Sequence, residues 1–327
     1  MTHAFDAYVA NALFSGKGER AASPIFALGD GTIRFESGES VKAHDGAVLC
    51  ATAHPSGEGI VTGGDDGRVV WSQPSGAVEI ADLKGKWIDA LDSSLESGLI
   101  AFAAGRDLHV RDAKDPAFQR TFKHERSVAA VAFDPKGRRV AAASYGGVQL
   151  WYGRIAEQKP QVLKWAGSHI GVIFSPDGRF LVSAMQENAL HGWRLADAKD
   201  MRMGGYPAKP KSFTFLAKGA LFATSGAAGA VVWPFTGANG PMGKEAVEIG
   251  HDEGALVTQV AAQFGGSRLC AGLDDGRIWI ADLKSHGVRF VKSDKGAPIT
   301  ALSVSNDGTK LAWGAEDGAA GAADLEA

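Results

Sequence analysis

The chain has 327 residues, with 34 Lys and Arg against 37 Asp and Glu, and a formal net charge of −3 at pH 7. That near balance, with cations scattered and no long run of like charge, leaves no electrostatic footprint for nucleic acid or an anionic membrane surface. Hydrophobic residues make up 45%, as in ordinary globular proteins, and no stretch approaches the roughly 18 apolar residues of a transmembrane helix.

Residues 1–6 carry neither the basic nor the apolar segment of a secretory signal, so a cytoplasmic protein is expected. The Ala- and Gly-rich composition would suit a bacterial one. The two cysteines, Cys50 and Cys270, lie inside predicted strands. Two cysteines make no disulfide framework, and each reads as a small buried hydrophobe.

A hairpin that turns on Gly and runs into an apolar strand recurs along the chain: 31–35, 67–71, 146–151, 229–233 and 276–280, with weaker copies after Gly105, Glu187 and Asp317. An earlier turn in each unit falls at 15–18, 55–57, 134–137, 175–178, 265–266 and 305–308. When the units are aligned on the last apolar residue before that turn, the position nine residues upstream becomes a fixed slot. Phe5, His44, Leu83, His124, Trp165, Tyr206, His251 and Lys295 occupy it, at steps of 39, 39, 41, 41, 41, 45 and 44 residues. A period of this size means stacked structural repeats.

The clearest unit spans 124–164. Strands are predicted at 128–133, 139–144 and 148–151, with a more polar fourth at 159–163, and Asp134–Gly137 and Gly146–Gly147 make the turns. Four short strands bounded by turn signals are the antiparallel all-β pattern, and no amphipathic segment of 10–15 residues breaks it. The predicted fold is therefore all-β: a single propeller of four-stranded antiparallel blades over 1–327. Eight blades are expected, with seven as the alternative. Their predicted bounds are 5–43, 44–82, 83–123, 124–164, 165–205, 206–250, 251–294 and 295–327. The last unit has three strands of its own, and only residues 1–4 precede Phe5 to supply a closing strand, which must therefore be short or missing.

On the histidines His44, His124 and His251, the Ser-Pro-Asp-Gly turn at 175–178 and the Asp-Gly-Arg-apolar strands at 66–71 and 275–280, the chain resembles the WD-repeat β-propeller family. In that family each blade buries a network of His, Ser/Thr, Asp and Trp and ends its third strand in Trp-Asp. No unit keeps the full set: His124 has Trp151 but Tyr145 at the Asp position, and His251 has Asp275 but Ala281 in place of Trp. The resemblance implies that His44, His124 and His251 are buried hydrogen-bonding residues.

Motifs for chemistry are absent. The histidines lack zinc spacing, there is no Gly-x-Ser-x-Gly elbow, and the Asp-Asp-Gly turns at 65–67 and 274–276 lack the rest of a calcium loop. Gly at those turns supplies φ > 0. No catalytic residue, metal or cofactor is expected. Trp71, Trp151, Trp193, Trp233 and Trp279 all fall on third strands and read as packing between blades.

What the repeat does not explain lies on one rim, at the loops entering each first strand and those between second and third strands. The resemblance implies a peptide-docking face there. It would carry Tyr8, Lys86, Trp87, Arg106, Arg126, Tyr145, His169, Glu187, Lys209 and Asp274. Aromatic side chains beside Arg are the makings of interface hot spots. The expected function is a non-enzymatic scaffold that binds a peptide or domain of a partner protein, with no nucleic acid and no membrane. The alternative is an enzyme or small-molecule sensor using the central channel.

Overall fold

The computed structural model describes residues 2–15, 23–285 and 287–325. Among them there is no α-helix, and the one helical turn is the short 3-10 segment Ala217–Gly219. The expected turn at 15–18 lies, apart from Ser15, outside the described residues. The strands pair antiparallel in sequence order, each unit running from an inner strand to an outer one.

Hydrogen bonding gathers the strands into seven sheets, six of four strands and one of six. The seven-blade alternative counts these sheets. The six-stranded sheet holds two repeat units, because Arg139–Tyr152 and Gln161–Phe174 are each 14 residues long and run on where other units turn. Gly146 (φ 94) and Gly147 (φ 138) bend the first of them, and Tyr145 pairs with Ser168 across the bend.

Packing counts differently. Eight apolar clusters lie between successive units, among them one joining Val140 and Trp151 to Leu99 and Val110 and one joining Leu150 and Leu163 to Val172 and Trp193. The two units that share a sheet therefore also face each other across a core. Eight repeat units thus fall into seven hydrogen-bonded blades, because one pair of units is fused into a single sheet.

The chain ends meet in one sheet. Thr2–Ala4 pairs with Ala319–Asp324, Thr2 opposite Gly321 and Ala4 opposite Ala319. Phe5 N donates to Gly318 O at 3.0 Å.

A recurring device links one unit to the next. A β-bulge opens the inner strand in six units, between Val48 and Cys50, Val257 and Gln259, and Ile299 and Ala301 among others. A bulge re-aims the side chains beside it. Here Thr258 donates to Ile299 O at 2.7 Å, Thr300 to Val9 O at 2.6 Å, and the Cys50 thiol to Ile88 O at 3.1 Å. The same three acceptor residues pack onto glycines of the preceding unit. A Cβ on Gly63, Gly272 or Gly314 would lie 2.6, 2.5 or 2.3 Å from a methyl of Ile88, Ile299 or Val9.

The slot residues divide. His44 is buried and bonds Asp66 Oδ1 at 3.0 Å and Thr62 Oγ1 at 2.8 Å. Burial opposes the charge on Asp66, yet bonds from the Arg68 backbone, His44 and the Arg68 side chain outweigh it and hold the carboxyl at about 2. An ionised carboxylate only accepts. His44, its pKa lowered by burial, therefore donates from Nδ1 to Asp66 and accepts the Thr62 hydroxyl at Nε2.

Tyr206 rebuilds the arrangement without His: Trp233 Nε1 donates to its hydroxyl at 2.8 Å, which in turn lies 2.7 Å from Thr224 Oγ1. His124, also buried, accepts from Trp151 Nε1 at 3.2 Å. His251 departs from expectation. Its side chain is half exposed and sits 3.1 Å from Glu248 on the surface, because its unit has no Trp or Ser/Thr partner placed to receive it.

Of the third-strand tryptophans, Trp151, Trp193 and Trp279 are core. Trp71 turns instead to Glu58 O (2.8 Å) and stacks on His54 at 3.9 Å.

Candidate interaction site

The third unit is entered through a tight turn. Gly85 takes φ 76, Lys86 N bonds Leu83 O, and Ile88 N bonds Gly64 O. Ile88 is fully buried and fills the joint at Gly63. Where other units open the inner strand with a buried valine, Val48 or Val128, the space is filled here by Ile88, and Trp87 is pushed outward. It is 67% exposed, a large cost for an indole unless something covers it, and Tyr145 on the next unit is 63% exposed.

Trp87 lines a cleft of about 720 Å³ between the third and fourth units, with Lys86, Arg106, Asp107, Lys123 and His124. Backbone bonds from His124 N to Arg106 O and from Val128 N to Gly105 O hold its two walls together. Lys86 reaches Asp107 at 3.3 Å. Burial lowers His124 to about 4, so its ring is neutral at pH 7 and adds no charge. A large aromatic surface ringed by cations on a rigid backbone is a preorganised docking feature.

The ten rim residues do not converge on one place. Lys86, Trp87 and Arg106 meet in this cleft, with Arg126 exposed beside its wall residue Ser127. Lys209 and Asp274 line a separate recess of about 360 Å³ with Asn188 and Lys211. Asp274 is engaged there as the acceptor for Leu256 N at 2.8 Å, and Glu187 accepts from Ser168 N at 3.0 Å. The ring of Tyr8 lies over Gly29, where a Cβ would meet it at 1.9 Å.

His169 is not a rim residue. It is fully buried, with Ser183 Oγ at 2.7 Å and Trp165 O at 3.2 Å, because its unit seats a histidine four residues beyond the slot that Trp165 occupies. Lys123 and Asp107 line the cleft and were missed. Lys123 directly precedes a slot residue, and that adjacency was the available signal.

A recess of comparable size, about 670 Å³, opens between the first and second units, lined by Glu36, Glu39 and Glu58. Among the described residues that line it, none is an exposed aromatic. Among the described residues no group of three or more His, Cys, Asp or Glu could hold a metal ion.

The model of the family described as WD domain, G-beta repeat, matches residues 36–71 and 117–152. The resemblance to WD-repeat β-propellers holds. The second match ends on the strand that carries Trp151, the indole bonded to His124. The chain is also similar to the periodic tryptophan protein 2 homolog of Dictyostelium discoideum, 26% identical over 158 residues, which are 45% of this chain and 17% of that protein. In fold it is similar to the crystal structure of the computationally designed Ika8 protein. The TM-score is 0.78 at 20% identity, covering 99% of this chain and 98% of that one. WD-repeat propellers generally act as protein-interaction scaffolds.

Proposed function

We propose that this WD-repeat propeller is a non-enzymatic scaffold that captures a partner protein through the cleft between its third and fourth units. The single observation that carries the reading is Trp87: an indole 67% exposed at the mouth of a cleft, next to a residue, Ile88, that is fully buried. The ring supports the site by fixing both walls to inner strands of adjacent units. Hot spots of interfaces are enriched in Trp and Arg set in preformed recesses, and Arg106 supplies the second.

Affinity capture from the source cell with the native chain and with Trp87→Ala tests the proposal. A protein retained by the first and lost by the second, with thermal melting unchanged, supports it. Equal capture by both chains removes the cleft from the interface.

A further inference from the structure

The charges of this face are unevenly committed. Acids at other turns of the rim are spent within the fold: Asp30 on Thr32 N (2.9 Å), Asp65 on Ala47 N (2.8 Å) and Asp317 on Ala319 N (3.0 Å). Asp275 is paired with both Arg277 (2.7 Å) and Lys295 (3.3 Å). Around Trp87 the balance reverses. Of the cations there, Lys86 has Asp107, whereas among the described residues the side chains of Arg106, Lys123 and Arg126 make no ion pair or hydrogen bond. The lining's other acid, Asp89, is exposed and makes no ion pair with these cations among the described residues. A chain of net charge −3 thus holds three cations without an ion-pair partner, Arg106, Lys123 and Arg126, around its most exposed indole.

From this geometry we infer that the occupant of the cleft is an acidic protein segment, with carboxylates set on either side of an apolar side chain that rests on Trp87. The inference rests on the reading of the cleft as an interaction site and adds the chemistry of the partner. The apolar residue gains contact with the indole face. The carboxylates meet Arg106 and Lys123, whose planar fork and ammonium are free to receive them. Complementary charge of this kind steers encounter and excludes basic partners, and it weakens as salt rises.

The probe is a short labelled peptide with Asp and Glu flanking a central Leu-Phe pair, compared by fluorescence anisotropy with the same peptide bearing Asn and Gln. The acidic peptide is expected to bind at least about tenfold tighter, to weaken with added salt, and to be lost to the double variant Arg106→Glu, Lys123→Glu, whose melting is checked by circular dichroism.

If both peptides bind equally and both are lost on Trp87→Ala, the cleft is a binding site and the acidic class is wrong. If the acidic peptide binds the charge-reversed variant as well as the native chain, or binds neither, the inference falls. If Trp87→Ala leaves binding intact, the reading of the site falls with it. Concentration-dependent dimerisation abolished by the charge reversal would make the occupant a second copy of this chain and overturn the peptide assignment.

Discussion

Thr300 and Val9, 291 positions apart in the chain, are joined by a hydrogen bond of 2.6 Å from the threonine hydroxyl to the valine carbonyl. Beside it, the Val9 side chain occupies the space where Gly314 has no Cβ. This is the joint at which the ring closes, and it is built on the same plan as the joints at Ile88 and Ile299. Closure therefore uses the ordinary contact between units plus one short terminal strand.

Thr300→Val should leave the Val9 carbonyl without its partner and cost about 1–3 kcal/mol, while Thr300→Ser should retain most of the stability. Denaturant unfolding measures both. If Thr300→Val matches the native chain, the hydroxyl contributes nothing to closure.

Removing residues 1–7 strips the strand paired with Ala319–Asp324 and the Phe5 and Ala7 side chains packed on the cluster around Phe26. A melting temperature several degrees lower is expected, since a 1 kcal/mol loss shifts even a domain of 150–250 residues by about 2–4 °C and several contacts are lost here. Unchanged melting would show that the ring closes on Thr300 and Val9 alone.

Gly314→Val places two methyls into Val9, and overpacking of a fitted core costs about 1–3 kcal/mol. The glycine is not held at positive φ, so the effect is purely steric. Shortening the opposing residue with Val9→Ala should recover part of the loss in the double variant. Additive losses would mean that the two side chains do not share the space.

Trp87→Ala and Ile88→Ala, one residue apart, should behave oppositely. The first should melt like the native chain, because it removes an exposed side chain. The second should lose about 2–5 kcal/mol through the cavity left in the joint. Equal destabilisation by both would place Trp87 in the core.

Acid should unfold this protein early. Burial holds His54, His109, His124 and His191 at about 4 each, below the ordinary 6.5. Between those values the unfolded chain binds protons that the folded chain refuses, so stability falls as pH drops from about 6.5 toward 4 and is flat above. Asp92 opposes this. Burial raises it to about 6 from 3.8, so the folded chain gains a proton first, and the contribution grows as pH falls. Four groups against one leave a net acid loss. His109→Gln should flatten the pH profile of the unfolding midpoint, and Asp92→Asn should steepen it. Profiles unaffected by either would mean these groups are not the source.

The repeat, its turns and its slots were legible because each depends on local chemistry. Gly at positive φ marks the turns, and alternation marks the strands. Partner placement was not legible. His251 and His124 occupy the same slot, but only His124 has a third-strand Trp whose N–H reaches it. His169 lies four residues past a slot and is buried, although its position suggested the rim. The outward turn of Trp87 was not legible either, because Ile88 takes the space left by Gly63 in the neighbouring unit.

The sequence by itself determined the all-β repeat, its eight repeat slots and the loops left over on the rim, because strand alternation and turn residues act within a few positions of each other. The tertiary structure decided the sheet count and the closure through Thr2–Ala4. It also decided which rim cations remain without partners around Trp87. Those outcomes depend on groups tens to hundreds of residues apart, and no local pattern records which of them meet.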